Sequence, residues 1–184
     1  FKGIGKIPKK VNKLSQVKTQ KLLNDLPMYL KGIGRTLESM PGKKAIFVIL
    51  DSDDADCAEL KKDLVEMYEK SGVTVDVYFC IAIEEMEAWL LGDEKAIEEA
   101  YPQAKMPLLR KYVQDSIVGT WEYLADVVYS GGVNALKKKA ESYYEIGLFK
   151  CECAGNIGMY LNIHENKSPS FNYFINKLND FCEV

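Results

Sequence analysis

The sequence predicts an α/β protein whose parallel sheet is flanked by helices and followed by a helical C-terminal region. The run AIFVIL at residues 45–50 is apolar and rich in branched side chains, which is typical of a strand buried on both faces. Residues 56–70 carry apolar side chains at helical spacing, and Ser71-Gly72 then ends that helix. The run VTVDVYFCIAI at 73–83 predicts a second strand. Since strand, helix and strand in this order form a βαβ unit, the two strands are expected to be parallel.

Further helices are predicted on both sides of this unit. One begins near Gln20, contains Pro27, and is expected to end near Gly32 or Gly34. From Met106 onwards the chain is expected to be helical. The other predicted helices lie at 83–91, at 93–99 with Asp93 as N-cap, at 136–144, and at 171–181 with Ser168 or Ser170 as N-cap and Pro169 in the first turn.

These elements predict one domain in two parts. Residues 1–105 would form the α/β core with a basic N-terminal segment, and residues 106–184 a helical C-terminal extension packed on the same domain. A chain of 184 residues is long enough to bury a core of this kind.

The composition indicates an ordinary globular protein of the cytoplasm. Apolar residues make up 47% and charged residues 28% of the chain, and no apolar run is long enough to span a membrane. Five cysteines without regular spacing argue against a disulfide framework, and a single histidine, His164, argues against a zinc site. We therefore expect reduced thiols and no contact with a membrane.

The charge is distributed unevenly along the chain. Residues 1–44 carry a net charge of +9, which leaves −12 on the remainder of a chain whose total is −3. A basic segment on an acidic body predicts a polyanionic partner, DNA or RNA, and the candidate contacts are Lys6, Lys9, Lys10 and Lys13. The alternative is a solvated, lysine-rich surface.

Four acids follow the first predicted strand: Asp51, Asp53, Asp54 and Asp56. Ligands of parallel sheets bind at the carboxyl ends of the strands. In an extended backbone Asp51 and Asp53 point the same way, and two such carboxylates repel each other unless a cation lies between them. This predicts Mg²⁺ or Mn²⁺ at Asp51 and Asp53. Acids also favour helix N-termini, so Asp54 or Asp56 is assigned to capping.

Three more acids, Glu84, Glu85 and Glu87, follow the second predicted strand. They reach the same edge of the sheet, so Glu85 or Glu87 is expected to approach the aspartate pair. Glu84 is expected to point elsewhere, because on a helix it faces away from at least one of its two neighbours. A helix start rich in acids is the alternative explanation.

The motifs VILDSDDADCAELKKDL, IAIEEMEAWLLGD and KSPSFNYF together resemble the bacterial Toprim-like family called domain of unknown function 4276, over nearly the whole chain. The resemblance implies a Toprim-like, Rossmannoid fold, related to that of topoisomerases, primases and OLD-type nucleases. It implies that Asp51 and Asp53 match the Toprim DxD and that Glu85 and Glu87 lie on an E-x-E-A-W motif. It also implies a partner ATPase of the AAA or ABC type, in settings suggestive of phage defence.

The function expected from this reasoning is that of a Mg²⁺-dependent nuclease, with Asp51 and Asp53 as metal ligands and Glu85 and Glu87 as catalytic residues. A Toprim domain opens with a strand followed by a catalytic Glu, and nothing before Phe1 supplies them: either the given sequence lacks this first βα unit or the unit has been lost. The alternative is therefore a degenerate Toprim-like module that binds a nucleic acid or an ATPase without cleavage. A metal-dependent phosphatase or nucleotidyl transferase is a third hypothesis, and a homodimer stays open.

Overall fold

The computed structural model describes residues 18–182, which form a mixed α/β fold of nine helices and two strands. In chain order these elements are α1 (Lys18–Glu38), β1 (Ala45–Asp51), α2 (Cys57–Ser71), β2 (Asp76–Ala82), α3 (Glu87–Leu91), α4 (Glu94–Ala100), α5 (Met106–Leu109), α6 (Thr120–Val128), α7 (Gly132–Lys139), α8 (Tyr143–Gly158) and α9 (Pro169–Cys182).

The two strands are parallel and are joined by α2, as the sequence predicts. Ala45 lies opposite Asp76 at one end of the pair, and Asp51 lies opposite Ala82 at the other. The carboxyl ends of both strands therefore meet at one edge. The helix between them ends at Gly72, whose φ of 69° is a left-handed conformation that glycine adopts at little cost.

Helices α1 and α2 cover one face of the sheet. Alternate residues of β1, Ile46, Val48 and Leu50, are buried in a core with apolar side chains from both helices, among them Leu30 and Leu64. This is the period of two that a strand imposes on its side chains. The buried stripes of α1 and α2 supply the other half of this core.

Helix α9 covers the opposite face of the sheet. The Phe47 ring points to this side, with its centroid 6.3 Å from that of Phe174 and 5.9 Å from that of Phe181. Trp89 is buried against α9 and stacks on Phe174 at 5.4 Å. The sheet is thus sandwiched between helices that are far apart in the sequence.

The N-terminus of α9 is held by a polar network. Ser168 accepts a hydrogen bond from the Phe171 N–H, which confirms the predicted cap, and Pro169 occupies the first position of the helix. The Asp115 carboxylate accepts bonds from the Ser168 hydroxyl and the Ser170 N–H, both at 2.7 Å. This network fastens α9 to the loop before α6.

The helices after β2 form a second core. Leu91, Ile97, Leu109, Leu124 and Ile157, contributed by α3, α4, α5, α6 and α8, are buried together. Elements on both sides of residue 105 share this core, and the predicted division of the chain at that residue stays a prediction. Among residues 18–182, no helix has both the length and the hydropathy needed to cross a bilayer.

The prediction that the first helix ends near Gly32 or Gly34 was wrong, since α1 continues to Glu38. Gly34 lies against α2's C-terminal loop: a Cβ there would be 2.7 Å from Cγ1 of Val73. The glycine is therefore needed for close packing inside the helix and does not mark its end.

Two other predicted helices have different bounds. Residues 83–86 form a bend before α3, and the predicted helix at 136–144 is divided between α7 and α8. The bend contains Glu84 at a φ of 61°, a conformation incompatible with a continuous right-handed helix.

Candidate active site

The two strand ends are joined beyond the sheet by three hydrogen bonds. Ser52 N–H donates to the Ala82 carbonyl at 2.9 Å, and Asp53 N–H donates to the Glu84 carbonyl at 2.9 Å. The Glu84 N–H in turn donates to the buried Ser52 hydroxyl at 2.8 Å. The acidic turns after β1 and β2 are thereby held next to each other.

Asp51 is the acid at the centre of this edge. Burial raises the pKa of its carboxyl, the negative charges of Glu87 and Glu85 raise it further, and the pKa reaches about 6. The structure therefore brings Asp51 together with both glutamates that the sequence placed at the site. The charge of Lys150 lowers the pKa of Asp51, and the charge of Asp53 raises it by less than either glutamate does.

Lys150 of α8 is the cation of this cluster, and the sequence did not predict it. Its ammonium lies 3.2 Å from Oε1 of Glu85 and 3.2 Å from Oε1 of Glu87. Burial opposes the charged form of Lys150, but the two glutamates raise its pKa above the ordinary value. Only 8% of the Glu87 side chain is exposed, so the second ion pair lies almost entirely away from water.

The position of Lys150 along α8 is a signal that the sequence does contain. On α8 it lies one turn from Ile146 and from Cys153, both buried, and is thus on the apolar stripe of that helix. A lysine in such a position is rarely buried without an acidic partner. The sequence therefore shows that Lys150 lies on an apolar stripe, although it does not show which acids pair with it.

Glu85 has one oxygen on Lys150 and one that faces inwards. Burial raises the pKa of Glu85, Lys150 opposes this, and Glu87 and Glu122 add to it. Its Oε2 is buried and has no hydrogen-bond partner among the described residues. An inward carboxylate oxygen of this kind is available to a cation.

Asp53 is held differently from the prediction. The expectation that Asp51 and Asp53 point the same way assumed an extended backbone, but β1 ends at Asp51 and Asp53 has a φ of 48°. The period of two does not apply across a left-handed residue. The strand alternation therefore does not relate the side-chain directions of Asp51 and Asp53, and their role as a pair of metal ligands stays a prediction.

Two of the remaining acids bind helix N-termini. Asp56 caps α2 and accepts bonds from the N–H groups of Ala58 and Glu59. Glu84 points away from the cluster, as expected, but it does so because its carboxylate binds the first residues of α6. The four candidate lysines of the basic segment, Lys6, Lys9, Lys10 and Lys13, lie outside the described residues.

The described residues offer few ligands for a divalent ion. In residues 18–182, no three or more His, Cys, Asp or Glu side chains converge as a ready-made metal group. A closed zinc site would need such a group, whereas Mg²⁺ usually takes one or two carboxylates and completes its shell with waters and substrate phosphates. Asp51 and the inward oxygen of Glu85 are the carboxylate groups that such an ion would use at this edge.

Comparison with known proteins agrees with the motifs. Residues 1–179 match the family model described as Domain of unknown function (DUF4276), which confirms the resemblance to that family. No curated protein and no solved structure gives a significant match. The family description names no activity, so the function has to be argued from the site.

Proposed function

The chain belongs to the family described as Domain of unknown function (DUF4276), and we propose that it is a Toprim-like, metal-dependent nuclease that hydrolyses phosphodiester bonds in DNA or RNA. The proposal rests on one observation: Asp51, Glu85 and Glu87 lie together at the carboxyl edge of the parallel strands, close enough for the glutamates to raise the pKa of Asp51. Acids that repel one another at the ligand-binding edge of a sheet are typical of a cation site.

In this proposal Asp51 and one of the two glutamates hold Mg²⁺ or Mn²⁺, with Asp53 at the rim of the site. The bound ion would stabilise negative charge that develops on a phosphodiester. Glu87 is nearly buried and fixed by Lys150, so it orients the acids around it. Glu85 offers its inward oxygen to the ion or to a water in its shell.

The partners in this proposal come from the charge pattern and the family resemblance. The basic segment, with Lys6, Lys9, Lys10 and Lys13, would hold the nucleic-acid backbone without reading its sequence. An ATPase of the AAA or ABC type would act with the protein, and phage defence is the setting that the resemblance suggests.

One observation favours a second function, that of a degenerate Toprim-like module that binds without cleaving. Lys150 already places a positive charge between Glu85 and Glu87. A permanent ion pair of this kind would neutralise the acids and leave a binding surface instead of a catalytic site.

Metal binding and cleavage by wild type and Asp51→Asn distinguish the two functions. We expect wild type to release or absorb heat on titration with MnCl₂ and to cleave labelled single-stranded DNA or RNA with Mn²⁺ but not with EDTA. Asp51→Asn should lose most of the binding heat, and its cleavage rate should fall by a factor of about 100 or more.

The matched control is Asp54→Asn, because Asp54 is an exposed acid in the same turn. It should bind Mn²⁺ and cleave as wild type does. Equal heats from wild type and Asp51→Asn would refute the metal site. Metal binding without cleavage, together with a gel shift of the same oligonucleotides, would favour the module that binds only.

A further inference from the structure

We propose that Lys150 is an internal counter-ion that a divalent cation must displace from Glu85 and Glu87 before the acidic edge can bind it. This inference rests on the proposed function, because it concerns how the same site is regulated. It makes metal binding an exchange of one positive charge for another.

The ammonium of Lys150 already lies between the two glutamates. It lies 3.2 Å from Oε1 of both glutamates, so it bridges the two acids as a small cation would. Both glutamates also raise the pKa of Asp51, which places the bridge next to all three acids. An ion that shares oxygens with these glutamates competes directly with the ammonium.

Lys150 lies in a position that is unfavourable for a charged side chain without acidic partners. Lys150 is the only cation in α8, and its side chain is 21% exposed on a stripe between buried Ile146 and Cys153. Burying an ammonium is costly, so its position is stabilised by the acids that it neutralises. Without it, Glu85 and Glu87 would repel each other in a half-buried site.

The Trp121 ring lies near the Lys150 ammonium. Its nitrogen lies 6.0 Å from the centroid of the Trp121 ring, at the limit of a cation–π contact. The flexible lysine stem allows the ammonium to move towards that ring while α8 stays in place. The exchange in this proposal is a change of the Lys150 side-chain rotamer, at a ring that Lys137 also approaches, at 5.0 Å.

Calorimetric titration of MnCl₂ into wild type, Lys150→Met and Lys137→Met tests the exchange. Methionine keeps the apolar stem and removes the charge. We expect Lys150→Met to bind Mn²⁺ about tenfold more tightly than wild type, because no ammonium has to leave. Lys137 is the matched control: it pairs with Glu122 at 3.3 Å and lies 5.0 Å from the same Trp121 ring, but it makes no ion pair with Glu85 or Glu87. Lys137→Met should bind as wild type does.

A second measurement uses wild type alone, in case Lys150→Met does not fold. Amine acetylation followed by peptide mass spectrometry reports how accessible each lysine is. Lys150 should be acetylated faster in MnCl₂ than in EDTA, and Lys137 should not change. Constant acetylation of Lys150 at every Mn²⁺ concentration would overturn the exchange.

The outcomes separate this inference from the proposed function. Equal or weaker Mn²⁺ binding by folded Lys150→Met, with binding by wild type intact, overturns the counter-ion and leaves the metal site standing. Binding by Lys150→Met alone supports the counter-ion and contradicts a metal-dependent wild-type enzyme. If neither protein binds Mn²⁺, both ideas fall.

Discussion

The acidic turns after β1 and β2 look alike in sequence. In each turn some acids join the cluster and one binds a helix N-terminus, but the order of these roles along the chain is opposite. After β1, the first acid, Asp51, joins the cluster and the last, Asp56, caps the helix that follows directly. After β2, the first acid, Glu84, leaves the cluster to bind a helix more than thirty residues away, and the later ones, Glu85 and Glu87, stay.

The difference shows that helix N-termini decide which acids remain for chemistry. Unpaired N–H groups at the start of a helix bind any carboxylate within reach. Asp56 reaches such groups in its own turn, whereas Glu84 reaches those of α6 through the tertiary fold. Counting acids at a strand end therefore overestimates the ligands, and subtracting the capping acids gives a better prediction.

Removing the long-range contact should have the largest effect on stability. The Glu84 carboxylate accepts hydrogen bonds from the N–H groups of Val118, Gly119 and Thr120 at 2.9–3.2 Å. Glu84→Ala loses all of them and keeps a side chain in a left-handed backbone. We expect the free energy of unfolding to fall by about 2–3 kcal/mol, measured by urea denaturation.

Two variants calibrate that result. Glu84→Gln keeps one acceptor oxygen and should lose roughly half as much. Glu98→Ala removes an exposed glutamate of α4 and should change the free energy of unfolding by less than about 0.5 kcal/mol. If Glu84→Ala is as stable as Glu98→Ala, the contact with α6 contributes nothing and the comparison between the two turns fails.

The effect of Asp51 should depend on pH. Its pKa of about 6 in the folded protein lies above the ordinary value, so the fold favours the protonated form. The stability that Asp51 contributes is complete below about pH 4 and is lost as the pH rises through 6. In EDTA, Asp51→Asn should therefore be more stable than wild type at pH 7.5 by about 1–2 kcal/mol, after allowance for partial exposure.

Urea denaturation of both proteins between pH 4 and 8 measures this difference, and the values at pH 4 serve as the internal control. The two stability curves should diverge as the pH rises. Parallel curves would mean that neither burial nor the two glutamates raise the pKa of Asp51, and the shared cluster would then be in error.

The local cap should have the smallest effect. Asp56→Ala removes the bonds from Ala58 and Glu59 at the start of α2 and should cost about 1 kcal/mol in thermal or urea unfolding. Asp54→Ala, in the same turn, should cost less than about 0.5 kcal/mol. If Asp56→Ala lowers the free energy of unfolding as much as Glu84→Ala does, the long-range contact of Glu84 with α6 stabilises the fold no more than a local cap does.

Elements with strong local signals could be predicted from the sequence. β1, α2 and β2 follow from uninterrupted apolar runs and helical spacing, and the start of α9 follows from Ser168 and Pro169. The end of α1 could not be predicted, because Gly34 serves a contact with Val73 that appears only in the fold. Local sequence predicted the end of α2 at Gly72, whereas packing overrides the same kind of signal at Gly34.

For the site, the sequence could predict which acids lie at the edge of the sheet. It could not predict which of them join the cluster and which bind helix N-termini. The parallel strands bring Asp51 towards Glu85 and Glu87 by topology alone. Lys150 lies 63 residues after Glu87, and nothing in its local sequence names its partners. The tertiary fold therefore brings the cation of the cluster to its acids, and the sequence alone shows only a charged residue on an apolar stripe.

The cover that α9 gives to the sheet has a consequence for synthesis of the chain. Both strands are complete at Ala82, but α9 begins at Pro169, 87 residues later. At about 5–20 residues per second, a ribosome needs several seconds to make that interval. Throughout it, the Phe47 side of the sheet lacks its last helix. Nascent chains halted before Pro169 would carry aromatic side chains that chaperones bind, and release from those chaperones would depend on the final helix.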